Sequence, residues 1–440
     1  MRTNRILSAA LVACGAIGLS STAHATNGYQ LIGVGSYQKS VGGAVTAAPK
    51  SAMSAISNPA GMSAIGNRAD FSMEAFMPER STDFSKMGGK KVDSDAELYG
   101  VPAIGWTAPI SDGSDLYFGG GMYGTSGLGV DYGQTRMSSD FNRDRTTGDN
   151  VYWSGYSAIS FWQMAPTLSW QVNDRLHLGA ALNIDYQSVA FKQHATADAN
   201  SDGTIDTEVQ NFDLSRGANA FGFGVTLGAL YEVNQMVTLG LSYKSEQDFS
   251  KLEYNLDRGD LGEFDRNSGN FQAMPAGTYK LDLDYPQQLA GGVKVTPMQG
   301  LDISADIKWI NWSATMDDLE IDGPGNADMD FDPDWDDQMV YALGVSYDAT
   351  PDLSLRAGYN YAESPIEDED VSSNLILPGV VESHYALGAN YQFNGHWELG
   401  AHYMYAPEVT RTAPSDDQNA PGTEIALSET SVGINIGYRF

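Results

Sequence analysis

The tightest constraint on this chain lies in its last nine residues, VGINIGYRF, read with its first 25. Counting back from Phe440, one face carries Tyr438, Ile436, Ile434 and Val432, and the other carries Arg439, Gly437, Asn435 and Gly433. A two-residue period with one wholly apolar face is the signature of a strand. The opposite end reads MRTNR, then ILSAALVACGAIGL, then Ala-His-Ala. That is the layout of an export signal over 1–25, with the mature chain starting near Thr26. A lipoprotein cleavage box ending at Cys14 is the competing reading. It leaves an apolar run of about eight residues and makes Ala-His-Ala accidental. An exported chain that ends on such a strand fits a transmembrane β-barrel.

Beyond the signal there is no apolar stretch of the roughly 18 residues that a spanning helix requires. A barrel strand needs only about 9–11 residues of alternating character, so it leaves mean hydropathy low, here −0.29. With 25 Lys and Arg against 56 Asp and Glu, the net charge is −31, which excludes the basic face that nucleic acid demands. The single cysteine lies in the signal, so no disulfide is expected in the mature chain.

Fourteen alternating segments follow from Ala69 onward, near 69–78, 98–110, 115–127, 158–172, 175–191, 217–232, 236–248, 278–297, 301–315, 338–347, 353–362, 382–393, 396–406 and 430–440. Short turns such as SDGSD, QVND and FNGH alternate with long polar connections. Short periplasmic turns, long external loops and an even count describe an antiparallel barrel of the Gram-negative outer membrane. Parity sorts the lumen from the lipid. Leu178, Leu182 and Ile184 fall on one face and His177, Asn183 and Asp185 on the other. A basic residue on the lipid face costs about 2–4 kcal/mol at mid-membrane, so the polar face must be the inner one. The expected fold is all-β: a 14-stranded barrel over 69–440 with residues 26–68, rich in Gly, Ala and Ser, as either a leader or a lumenal plug.

Several stretches resemble the FadL- and TodX-type outer-membrane transporters. They are GYQL at 28–31, the Gly-rich run at 33–48, SNPAG at 57–61, VPAIGWTAPI at 101–110 and RAGYNYAESPI at 356–366. The most specific is the hatch motif Asn58, Pro59 and Ala60. The resemblance implies a monomer whose hatch, 26–68, closes the lumen. It implies passive uptake of long-chain fatty acids, alkanes or aromatic hydrocarbons, and sideways release into lipid at a kink in the third strand. That strand holds five glycines between 119 and 127, of which Gly124 and Gly127 are expected at the opening.

A fatty-acid ligand needs a cation. The lumen candidates are Lys192, Lys294, Lys308 and Arg356, with Lys280 a further inward residue by parity, each of them open to pairing with a neighbouring lumen acid. Where a basic contact is expected before YALG, the chain has Asp336 and Asp337, which favours a neutral ligand. Asp198, Asn200, Asp202 and Asp206 match spaced positions of a calcium loop, although the twelfth position is Val209; a structural Ca²⁺ there competes with a plain solvated acidic loop. No other cofactor is expected. Phe440 and Tyr438 are expected to be read by the barrel assembly machinery, and lipopolysaccharide to surround the outer rim. No GxSxG or other nucleophile motif is present, so the chain is expected not to be an enzyme. A surface barrel with adhesive loops is the alternative outside transport.

Overall fold

The computed structural model describes residues 26–141 and 148–440; the expected signal, 1–25, lies outside them. Fourteen strands form the wall. They are β1 (Arg68–Asp83), β2 (Tyr99–Pro109), β3 (Leu116–Ser138), β4 in two pieces (Val151–Met164 and Thr167–Asn173), β5 (Leu176–Ala197), β6 (Ala218–Asn234) and β7 (Val237–Lys244). The rest are β8 (Gln288–Met298), β9 (Leu301–Ile310), β10 (Gln338–Thr350), β11 (Leu353–Tyr361), β12 (Ser383–Gln392), β13 (Trp397–Thr412) and β14 (Glu424–Arg439). Each pairs antiparallel with its successor, and β14 pairs with β1 from Glu424↔Asp83 to Arg439↔Arg68. That last ladder closes the cylinder and removes both sheet edges.

Parity is obeyed around the wall. Val432, Ile434, Ile436 and Phe440 are exposed toward lipid, while Ser431 and Asn435 are buried inside. On β13, Trp397, Leu399 and Tyr403 face out, with Glu398 and His402 inside. Trp397 and Tyr438 pack at a tilt, with ring centres 4.6 Å apart, at the periplasmic rim, and Phe440 adjoins Tyr438 at 5.9 Å.

Several strands run five or more residues beyond the expected segments at their external ends, among them β1, β3, β5, β13 and β14, and two expected segments are divided: 158–172 by the break in β4 and 278–297 as follows. The segment at 278–297 is two elements. Gly277–Leu281 belongs to a separate four-stranded sheet among the loops, and the wall strand begins at Gln288. Lys280 is therefore outside the lumen, ion-paired to Glu253. The third segment runs on to Ser138, eleven residues beyond its expected end at 127.

Residues 26–65 fill the lumen as a buried hatch with three short helices, α1 (Gly35–Ser40), α2 (Ser54–Ser57) and α3 (Gly61–Ile65). Above it, loop 362–382 turns inward, burying Ile366, Val371, Ile376, Leu377, Val380 and Val381. Ser157 Oγ donates to Ile376 O at 2.6 Å and ties that loop to β4.

Candidate functional site

The hatch is fixed to the wall by directional polar contacts. Asn58 Nδ2 donates to Thr46 O at 2.7 Å and to Ala229 O of β6 at 3.1 Å, while its Oδ1 accepts from Ala60 N at 3.1 Å. The wall makes room for this turn with paired glycines. A Cβ on Gly228 would lie 2.0 Å from Asn58 Oδ1, and one on Gly179 would lie 2.3 Å from Ala60 N. Asp306 of β9 accepts from Val45 N at 2.8 Å and Thr46 N at 2.7 Å, and Asp70 of β1 accepts from Ala52 N at 2.8 Å. Lys39 pairs with Glu74 at 3.0 Å, and His177 bonds Ser63 Oγ at 2.9 Å. His177 points inward, as parity requires, and its partner is the hatch.

The wall itself is interrupted between β2 and β3. Their ladder runs from Pro109↔Tyr117 to Ala103↔Tyr123 and stops. Tyr99–Pro102 remain paired to β1 alone, while β3 continues along β4. Three local causes converge. Pro102 has no N–H to give to a ladder. Gly120 takes φ +131°, and a Cβ there would lie 2.1 Å from Ala165 O, where β4 breaks at Ala165–Pro166. A bulge follows between Gly124 and Ser126. The backbone requirement thus sits at Gly120, four residues before Gly124. Gly124 and Gly127 instead line the gap itself.

Where β2 is missing, the hatch partly substitutes. Gln30 pairs with Ser126, and Gly127 N donates to Tyr29 O at 3.1 Å. A cavity of about 90 Å³ opens here, lined by Leu31, Phe76, Val101, Leu128, Phe161 and Trp162 among others. Inward from it runs a chain of rings. Phe161 meets Tyr285 at 4.5 Å, Tyr285 meets Tyr29 at 6.0 Å, Tyr29 meets Trp312 at 4.6 Å, and Trp312 meets Trp335 at 5.4 Å beneath the inward loop. The indole N–H groups are satisfied at the side, Trp312 by Gln338 at 2.9 Å and Trp335 by Asn374 at 2.8 Å. The five rings therefore form one buried aromatic cluster, packed in tilted and edge-to-face contacts, that reaches from beneath the inward loop to the gap.

The expected cations fall into different places. Lys192 is ion-paired with Asp213 in the external extension of β5. Lys294 is half-buried on β8, four residues from its periplasmic end at Met298. Arg356 lies over the Tyr37 ring of α1 at 4.8 Å, so it bears on the hatch. Lys308 lines a lumen cavity, shared with Lys244, Asp306, Gln288, Ser242 and Thr125. Lys244 donates to Gln163 at 3.0 Å and lies 5.0 Å from the Tyr285 ring centre. Neither Lys244 nor Lys308 has a carboxylate within 4.0 Å among the described residues. Lys244 was legible: it continues the inward row Thr238, Gly240, Ser242.

Asp337 accepts from Trp309 Nε1 at 2.9 Å, Asn311 and Ser313, and with Asp336 lies outside the aromatic cluster, beside Glu363, Glu367, Asp368 and Glu369. In the 198–206 loop, Asp198 spends its carboxylate on Asp202 N at 3.1 Å and Gly203 N at 2.9 Å, and Asn200 Nδ2 donates to Asp206. Among the described residues, no three acidic, His or Cys side chains converge as a metal site.

A closed 14-strand cylinder, an internal hatch and a broken third-strand ladder define an outer-membrane barrel with a plugged lumen. The chain belongs to the outer membrane protein transport family OMPP1/FadL/TodX, whose model matches residues 12–432. It is 26% identical over 269 residues to the 47 kDa outer membrane protein of Pasteurella multocida, covering 60% of this chain and 58% of that one. It is 23% identical to outer membrane protein P1 of Haemophilus influenzae, covering 69% of this chain and 65% of that one. In both, the match spans under two thirds of the relative's length. To the long-chain fatty acid transport protein of Escherichia coli O6:H1 it is 23% identical, covering 77% of each. Among solved structures, the Pseudomonas putida toluene transporter TodX superposes with a TM-score of 0.70 at 20% identity, covering 94% of this chain and 100% of that one. A Pseudomonas aeruginosa FadL homologue superposes at 0.68 and 18% identity, with the same coverage. Those two likenesses concern the fold.

Proposed function

We propose that this barrel takes up hydrophobic molecules passively, with long-chain fatty acids as its main substrate, and releases them sideways through the β2–β3 gap. The observation that carries this reading is the gap, with an apolar cavity behind it and the aromatic cluster reaching it. An apolar solute gains nothing from a water-filled pore, and the drop in free energy on reaching lipid drives it without another energy source. The hatch, hydrogen-bonded across the lumen, blocks the axial route. For the substrate class, Lys244 and Lys308 support a carboxylate-bearing ligand, because the two lumen ammonium groups share their cavity with a single carboxylate, Asp306, which already accepts from Val45 N and Thr46 N. The named relatives include both fatty-acid and toluene transporters. A hydrocarbon channel is the second reading, and the acids Asp336 and Asp337 at the outer face favour it. We read the chain as non-enzymatic.

The test is uptake of labelled oleate and labelled hexadecane by cells that lack their own long-chain fatty-acid transporter and express this chain. Oleate uptake supports the first reading. Hexadecane uptake alone shifts the substrate to hydrocarbons. With the barrel correctly assembled, uptake of neither rejects transport of both ligand classes.

A further inference from the structure

Arg80 is the one cation at the gap, and the mechanism above does not use it. It lies two residues beyond the sequence segment assigned to β1, yet it continues that strand's inward row of Arg68, Asp70, Ser72, Glu74, Phe76 and Pro78. Its side chain lines the gap cavity with Phe76, Tyr99, Val101, Leu128 and Phe161. It is 6% exposed, and its guanidinium lies 5.6 Å from the Tyr99 ring centre. Its Nη1 is buried without a hydrogen-bond partner, and it has no carboxylate within 4.0 Å among the described residues. A buried guanidinium with an unused N–H in an apolar cavity is costly unless something anionic pairs with it.

We propose that Arg80 is an anion subsite at the lateral gap, holding the carboxylate of an amphiphile on the lumen side while its hydrocarbon tail enters the bilayer. The proposal rests on the transport reading and adds a specificity determinant to it. Depth fits the role. Arg80 is twelve residues above Arg68, which at about 3.3 Å per residue and a tilt of about 45° is roughly 28 Å, the upper boundary of the apolar band. A carboxylate there sits at interfacial height with its chain in hydrocarbon.

The phosphate of an outer-leaflet lipid has the same anionic chemistry and is the competing source. Charge argues against it. The outer hollow that Arg80 also borders carries Glu79, Asp93, Glu97 and Glu408 against Lys91. Those acids repel a head group arriving from outside, and they also oppose escape of a carboxylate from inside. The head is thereby retained at Arg80 until the tail has partitioned.

The experiment compares wild type, Arg80→Gln and Arg80→Lys at matched levels of folded barrel. In cells, Arg80→Gln is expected to lower oleate uptake about tenfold and leave hexadecane uptake within twofold, with Arg80→Lys intermediate. An equal loss of both substrates, or an unchanged oleate rate, overturns the proposal. Binding is read separately from transport. Purified protein in phosphatidylcholine nanodiscs is titrated with oleate labelled with ¹³C at the carboxyl. A carboxyl shift that saturates in wild type and is absent in Arg80→Gln supports the subsite even if cells take up nothing, an outcome that rejects the transport reading alone. No shift in wild type overturns it. Adding lipopolysaccharide to the nanodiscs distinguishes the sources: abolition of the oleate signal assigns the site to lipid phosphate and overturns the fatty-acid assignment.

Discussion

At the scale of single residues, polar side chains fasten the hatch to the wall from both sides, Asp306 and Asp70 from the wall and Asn58 from the hatch. The Asn58 amide carries bonds to Thr46 O of the hatch and Ala229 O of the wall. In Asn58→Ala both carbonyls lose that donor, at about 1–3 kcal/mol each if they stay dry. The expected outcome is a loosened hatch in an intact barrel. Entry of vancomycin, too bulky for the closed form, should rise several-fold while heat-modifiable mobility on a gel stays normal. Unchanged vancomycin sensitivity would remove Asn58 from the seal. Parity placed such residues correctly: His177, Asp306 and Arg356 all point inward, as the alternation demands. What parity could not assign was the partner. Arg356 packs on Tyr37 and Lys192 pairs with Asp213 because segments far apart in sequence meet there, and a two-residue period carries no information about which ones do.

Elements were legible to the extent that a period of two and short turns define them. All fourteen wall strands follow from alternation, and the two segments that proved to be divided have a common reason. Gly277–Leu281 alternates as a wall strand does, with Tyr279 and Leu281 buried, because it too has one covered face, but the cover is a loop sheet and not lipid. Periodicity reports that a face is buried and is silent about what buries it. The break in β4 was hidden likewise, since the alternation resumes on either side of Ala165–Pro166. The inward loop 362–382 was not foreseen at all: its apolar residues follow no period, so nothing local marked it as a lid. A titratable group sits in it. Burial, with Asp334 nearby, raises the Asp370 carboxyl to about 6. A raised acid pKa favours the neutral form in the closed loop. Its stabilising contribution is complete below about pH 4 and is lost as pH rises through about 6. The loop should therefore open more readily at pH 7.5 than at pH 4. Dividing the rate of proteolytic cleavage in wild type by that in Asp370→Asn cancels the protease's own pH dependence. The ratio is expected near one at pH 4 and several-fold higher at pH 7.5; a flat ratio from pH 4 to 8 would rule the switch out.

For the whole molecule, the decisive property is that one cylinder is filled along its axis by the hatch while its wall ladder is broken between β2 and β3. The hatch is held by many hydrogen bonds to the wall, whereas the gap depends on a few missing ones between β2 and β3. Stapling the gap should therefore stop transport and leave the barrel standing. Val101 and Gly124 face each other across the gap: a Cβ on Gly124 would lie 3.0 Å from Val101 Cγ1. A cysteine at 101 places its sulfur near the Cγ1 position, within reach of a second sulfur carried by a Cβ at 124, as a disulfide requires. The chain's one cysteine, Cys14, is in the expected signal, so the double variant Val101→Cys, Gly124→Cys introduces the only pair. Oxidised, it should take up oleate at under a tenth of the wild-type rate. Reduction with dithiothreitol should restore uptake within the same cells, which separates closure of the gap from damage to folding. Each single-cysteine variant should be insensitive to redox state. If the oxidised pair is confirmed by gel shift and uptake continues undiminished, the substrate leaves by another route.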